Sequence, residues 1–293
     1  MMHTVLTFAL RNIRVYVRNR MSVFFSFLSV LIIIGLYALF LGKVQADAIR
    51  GTVGDLRAIR SLVNSWIMAG LLSVNSVTIS LGVLGTMVFD KEYKRFSDFI
   101  VAPVSRVGIV VSYLISACVI GFVFNLIALV AGELYIVSAG GALLTVANAL
   151  QVIGMLALSV VSSSAIMFLV ASFLTTGSAF GILSTLLGTL IGFITGVYVP
   201  LGILPDAVQK FVLLIPFSHS AAMLRQVFCQ APLAAVFRGA PTAVQAHYAR
   251  MYGIELFWNN TGLSMATMIA ILAGTTVLFL LLSGLKLRGY KRG

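Results

Sequence analysis

Apolar residues in this chain gather into long uninterrupted runs, roughly Ser22–Gly42, Leu62–Phe89, Val107–Ala131, Ala142–Phe173, Ala179–Val199 and Ser264–Gly284. A helix needs about 20 apolar residues to cross a ~30 Å hydrocarbon core at ~1.5 Å per residue, so each run predicts a membrane span. The fourth and fifth runs join in an uncharged stretch from Ala142 to Val199. As one helix it would reach ~87 Å, far more than one bilayer, so Thr175-Thr176-Gly177-Ser178 is read as a turn dividing it. The pattern predicts an all-α polytopic membrane protein with six transmembrane helices, forming a single domain over 1–293. Val23 to Leu41 holds fourteen Val, Ile, Leu or Phe residues, longer than the apolar core of a signal peptide. That run is read as a retained first span, although Ala46-Asp47-Ala48 resembles a cleavage site.

The segments between runs are patterned too. Over Thr4 to Arg20, Arg11, Arg14 and Arg18 recur on one helical face and Leu6, Leu10, Ile13 and Val17 on another. This predicts an N-terminal amphipathic interfacial helix over 1–21, with its arginines reaching lipid phosphates. Residues 90–106 mix Asp90, Glu92 and Asp98 with four basic residues beside an apolar face of Phe96, Phe99 and Ile100, and Pro103 ends the helix. Such a loop serves either as a grip for a soluble partner or as a topology signal. Residues 200–263 carry apolar stretches Ala207–Pro216 and Phe217–Phe228, too short to span and punctuated by Pro200, Pro205 and Pro216. These predict re-entrant helices before the last span, capping the outer end of any central cavity.

Charge changes the picture in one respect. A net charge of +12 would suggest nucleic acid in a soluble protein, but Lys and Arg beside spans set topology and hold anionic headgroups. Twelve of the basic residues fall on the side of the N-terminus, the second loop and the tail, against eight on the other, and the twelve lie in shorter segments. Both termini are therefore read as cytoplasmic, with 90–106 cytoplasmic and 200–263 extracellular.

Chemistry is sparse. Glu133 is the only charged side chain between Arg106 and Asp206. The chain has no phosphate-binding G-x-x-x-x-G-K-[ST] loop, no ionisable relay through the spans and no cluster suited to catalysis or a metal. Cys118 and Cys229 stand in different environments, which argues against a disulfide between them. Energy for uphill transport would have to come from another polypeptide. Ser73, Asn75, Ser76, Thr78 and Ser80 form a polar stripe in the second span, and Asn75 should face protein or a polar path. Asn125 and Gln151 pose the same question, with interhelical hydrogen bonds the favoured answer. In the fifth span Gly181, Gly188, Gly192 and Gly196 suggest close helix packing.

Two motifs carry a resemblance. Glu92 is followed by Phe99-Ile100 and by Pro103-Val104-Ser105-Arg106, and Gly196-Val197-Tyr198-Val199-Pro200 by Ile203-Leu204-Pro205, Ile215-Pro216 and Leu224-Arg225. With the order of elements, this resembles the six-span membrane subunit of a type-2 ABC transporter, the permease of a bacterial exporter. Arg95-Phe96-Ser97 departs from the Gly-Thr found after the loop glutamate in many members.

The resemblance implies that Glu92 to Phe99 is a coupling helix seated on a separate ATP-binding subunit, contacted by Glu92, Arg95, Asp98, Phe99 and Arg106. ATP and magnesium would then bind that subunit, and this chain would bind no cofactor. It also implies a second permease chain, a pathway lined by Asn75, Thr78, Gly188 and Gly192, and an outer gate at Pro200, Pro205 and Pro216. The expected function is export of a hydrophobic or amphipathic compound such as a drug, antimicrobial peptide or lipid across the bacterial cytoplasmic membrane. Polysaccharide or lipid-linked glycan export remains an alternative, as does an ATP-independent channel or secondary carrier.

Overall fold

A computed structural model describes residues 2–36, 56–95, 106–259 and 261–289. In chain order its helices are α1 (Met2–Arg18), α2 (Arg20–Leu36), α3 (Leu56–Glu92), α4 (Arg106–Ser138), α5 (Val146–Ser172) and α6 (Gly177–Ile194). After a 3₁₀ turn at Leu201–Ile203 come α7 (Asp206–Leu213), α8 (Pro216–Phe228), α9 (Gln230–Val236) and α10 (Thr242–Met251). A two-residue hairpin, β1 (Phe257–Trp258) with β2 (Thr261–Gly262), precedes α11 (Met265–Gly289). The chain is all-α as expected, and α3, α4, α5, α6 and α11 are each long and apolar enough to cross a membrane. α2 begins the first predicted span; the remainder of that span lies outside the described residues.

α3 is the axis of the molecule. Its apolar window is 89% buried, against 17% for α11 and 11% for α6, because α4, α5, α8, α6 and α9 all pack on it. Small residues make this possible. Ser80 Oγ lies 2.9 Å from Ser164 Oγ on α5, and Ser73 donates to the Phe217 carbonyl at 3.1 Å. A second hydroxyl pair, Ser220 donating to Ser159 at 2.6 Å, joins α8 to α5. These serines supply the interhelical bonds that the sequence reading assigned to larger amides. Asn125 instead donates to the carbonyl of Gly121 in its own helix, and Gln151 is exposed.

Turn chemistry sets the boundaries. Thr176 Oγ1 accepts from Ala179 N and starts α6, so the turn falls where Thr175–Ser178 placed it. The fifth run was expected to continue to Val199, but α6 ends at Ile194. Gly196 takes φ +69°, and Val197 N bonds back to Gly192 O, closing the helix with a left-handed residue. The chain then returns Tyr198 onto Gly192, where a Cβ would meet its ring at 2.3 Å. Gly181 and Gly188 face open space, with no helix packed on them among the described residues.

α7 and α8 bend by 89° across the break before Pro216. Pro216 occupies the first turn of α8, where its missing N–H costs nothing. Ser218 Oγ shares its one proton between Val212 O and Ile215 O, and His219 Nε2 lies 2.8 Å from Leu213 O, so side chains of α8 hold the end of α7 across the elbow. Helices α9 and α10 and the hairpin were not anticipated within 200–263. Arg57 and Arg60, two of the eight basic residues counted on the outer side, sit on the first turns of α3.

Candidate functional site

The last turn of α3 ends an apolar helix in Asp90-Lys91-Glu92, and each residue does something different. The Asp90 side chain is 3% exposed and accepts from three elements at once. Arg11 of α1 spans both carboxylate oxygens, with Nη2 at 3.1 Å. Tyr113 of α4 donates at 2.6 Å, and Arg95 reaches the other oxygen at 3.3 Å. A carboxylate buried in this way is retained only if it is paired and hydrogen-bonded. Arg11 is held above the ordinary guanidinium range by its hydrogen bond to Asp90, so this cation is permanent.

Around this junction α1 is docked on α4. Ala9, Asn12 and Tyr16 form its buried face; Asn12 donates to Ser112 at 3.3 Å, and Ser116 donates to the Ala9 carbonyl at 3.1 Å. Of the face predicted to be apolar, only Ile13 packs against the core, while Leu6, Leu10 and Val17 remain exposed. Arg14 and Arg18 are exposed as expected, whereas Arg11 turns to Asp90. Spacing alone could not separate these roles, since all three arginines share one face.

Lys91 donates to the carbonyls of Ser172 at 3.0 Å and Leu174 at 3.4 Å, tying α3 to the end of α5. Lys286 of α11 reaches Ser172 Oγ at 2.9 Å and lies 3.1 Å over the Phe173 ring. Here α6 also crosses α3: Phe89 and Phe180 meet edge to face at 5.9 Å, and a Cβ on Gly85 would collide with Phe180 at 2.7 Å. The ends of five helices therefore converge within two turns of α3.

Glu92 differs from its neighbours. It is exposed and, among the described residues, makes neither a hydrogen bond nor an ion pair. The helix stops just beyond it, where Lys94 adopts φ 56° in a position that usually favours glycine. Arg95 is exposed except for its contact with Asp90 and lies 5.2 Å from the Tyr93 ring centroid. Asp98 and Phe99 lie outside the described residues, and Arg106 opens α4. Of the five predicted coupling residues, Glu92 and Arg95 are thus adjacent at one helix end.

The predicted pathway residues are dispersed. Asn75 is buried in the interior of α3, Thr78 is half-buried with its hydroxyl on the Val74 carbonyl, Gly188 faces outward on α6, and Gly192 is covered by Tyr198. Pro200 and Pro205 precede the 3₁₀ turn and α7, and Pro216 starts α8.

A second structured site lies toward the other end of α3, around the arginine of the Leu224-Arg225 motif. Arg225 of α8 is wholly buried, its guanidinium carbon 4.6 Å from the Trp66 ring centroid. Trp66 donates to the Tyr252 carbonyl at 2.6 Å, and Tyr252 stacks on Tyr248 at 4.1 Å. Gly70 gives the guanidinium room, since a Cβ there would lie 2.9 Å from Arg225 and 2.5 Å from Val197. The detectable signal was Trp66 and Gly70, four apart on the helix that contacts the Leu224-Arg225 motif.

A family model described as ABC-2 type transporter matches residues 3–229, from α1 through the bent α7–α8 pair. The match covers most of the chain, which therefore belongs to the ABC-2 type transporter family, as a membrane permease subunit. It is a multi-pass membrane protein and a transport subunit. No curated protein matches it.

Proposed function

We propose that this chain is the permease of an ATP-driven exporter that moves a hydrophobic or amphipathic compound (a drug, antimicrobial peptide or lipid) outward by alternating access. Glu92 carries the proposal. It is an exposed carboxylate with no partner among the described residues, at the tip of the most buried helix and beside a junction that fastens that tip to α1, α4 and α5. A partner gripping Glu92, Arg95 and the segment through Asp98, Phe99 and Arg106 would push on α3 directly.

Because Asp90 joins α1 and α4 to the same point, the push would move the three helices together rather than bend one. At ~1.5 Å per residue α3 would carry such a displacement over roughly 55 Å to its far end. The partner is a separate ATP-binding subunit that holds ATP and magnesium. A second permease chain completes the pathway, to which Asn75, Thr78 and the Gly188–Gly192 face of α6 contribute, with Pro200, Pro205 and Pro216 at the outer gate. Exposed apolar residues on α6, among them Ile182, Leu186 and Leu190, suit either that second chain or lipid. We place both termini in the cytoplasm of a bacterial cell, with the exposed leucines of α1 in the lipid interface.

Tagged purification from the native membrane, scored for a stoichiometric ATP-binding subunit and ATPase activity, tests this reading. Recovery of the partner by the wild type and its loss with Glu92→Arg is the expected result. Repeated recovery of this chain alone, without ATPase activity, would move the channel or carrier alternative to first place.

A further inference from the structure

At the end of the bundle opposite Asp90, the first turns of α3, the end of α4, the start of α5 and the α8–α9 corner line a half-open cavity of about 290 Å³. Its walls are mostly apolar, including Ile136, Val227, Phe228 and Pro232, with Ser65 and Glu133 among the polar groups. Glu133 is half-buried, and one carboxylate oxygen accepts from Leu144 N at 2.9 Å. It has no ion-pair partner among the described residues. That bond draws the 140–145 segment over the cavity, where a Cβ on Gly141 would come within 3.2 Å of Ser61 Oγ.

We infer that this cavity is a binding site for a small organic cation with an apolar body, held by its charge on Glu133 and by its body against the apolar wall. The carboxylate is the only acidic side chain between Asp98 and Asp206 in a chain of net charge +12. A half-buried charge facing an apolar space is stabilised by a counter-ion that brings its own apolar surface, which water and simple salts do not. Arg57 also lines the cavity and has a contact of its own, which leaves Glu133 as the group for the ligand's charge. The site is independent of an ATPase partner and of the direction of transport.

Benzyltrimethylammonium and its uncharged isostere neopentylbenzene separate charge recognition from burial, with binding followed by saturation-transfer NMR on the full chain in nanodiscs. Glu133→Gln keeps an oxygen for Leu144 N while removing the charge. The cation should bind the wild type saturably and the Gln variant about tenfold more weakly, a difference of ~1.4 kcal/mol, with the isostere unchanged. Ala231→Trp, which fills the cavity from α9, should abolish binding of both probes, and it decides the matter if the Gln variant does not fold. Equal cation affinity in wild type and Glu133→Gln, saturable binding that survives Ala231→Trp, or no saturable binding above empty nanodiscs would each overturn the site.

Discussion

Two cations packed against α3, half-buried Arg11 near one end and fully buried Arg225 toward the other, are accommodated by opposite means. Arg11 meets a carboxylate that also takes bonds from Tyr113 and Arg95, so its charge is neutralised in a network with an exposed edge. Arg225 instead lies on the Trp66 face, among glycines and stacked tyrosines, with no exposure at all. The first arrangement can be pulled on from outside, because Glu92 and Arg95 continue it to the surface. The second is closed packing, suited to holding α8 and α10 on the helix while the other end moves.

If that contrast holds, Arg225→Ala has the largest effect on folding. It removes a desolvated cation–π contact and leaves a cavity, together about 3–5 kcal/mol, visible as a large fall in thermal melting in detergent. Asp90→Ala should cost about 2–3 kcal/mol, less than a fully buried pair because the Arg11 side chain is 30% exposed. Its signature is freer α1, read as faster amide exchange over residues 5–18, which Arg225→Ala would not reproduce. Gly70→Ala follows at about 1–3 kcal/mol, since the new methyl must displace Arg225 and Val197.

Cys229, next to the Arg225 packing, gives the smallest effect and one tied to pH. Burial pushes its thiol from 9.0 up to about 12. The folded chain keeps the proton that the unfolded chain releases above its ordinary value. Stability is therefore full below pH 9 and declines as pH rises toward 12, by at most ~1.4 kcal/mol per unit from this group. Melting across that window should show the decline, and Cys229→Ala should make it shallower than in the wild type. Maleimide should leave this thiol unlabelled until the protein is denatured.

The spans were legible because length and apolar content alone decide them, and the α5–α6 turn because Thr176 and Gly177 are a recognisable helix start. The ends of α3 were not legible: its backbone bonds continue past Phe89 through a charged turn and stop only at left-handed Lys94. Glu92 stood out in the mixed-charge loop, yet Asp90, two residues earlier, makes the junction. Its partners Arg11 and Tyr113 are far away in sequence, and nothing local separates a buried aspartate at a span end from a solvated one. Arg225 was hidden for the same reason, since an arginine between prolines reads as surface until the fold sets Trp66 beneath it. Of the four glycines that predicted packing, Gly192 is covered by Tyr198 and Gly196 by Leu201 and Arg225, whereas Gly181 and Gly188 face open space.

The asymmetry between the two ends of α3 is tested most directly by thiol crosslinking in native membranes, using Glu92→Cys at one end and Arg57→Cys at the other. The account predicts a crosslink between position 92 and a separate ATP-binding subunit, and none from position 57. A crosslink to that subunit from position 57, or none from position 92 despite full labelling, would contradict it.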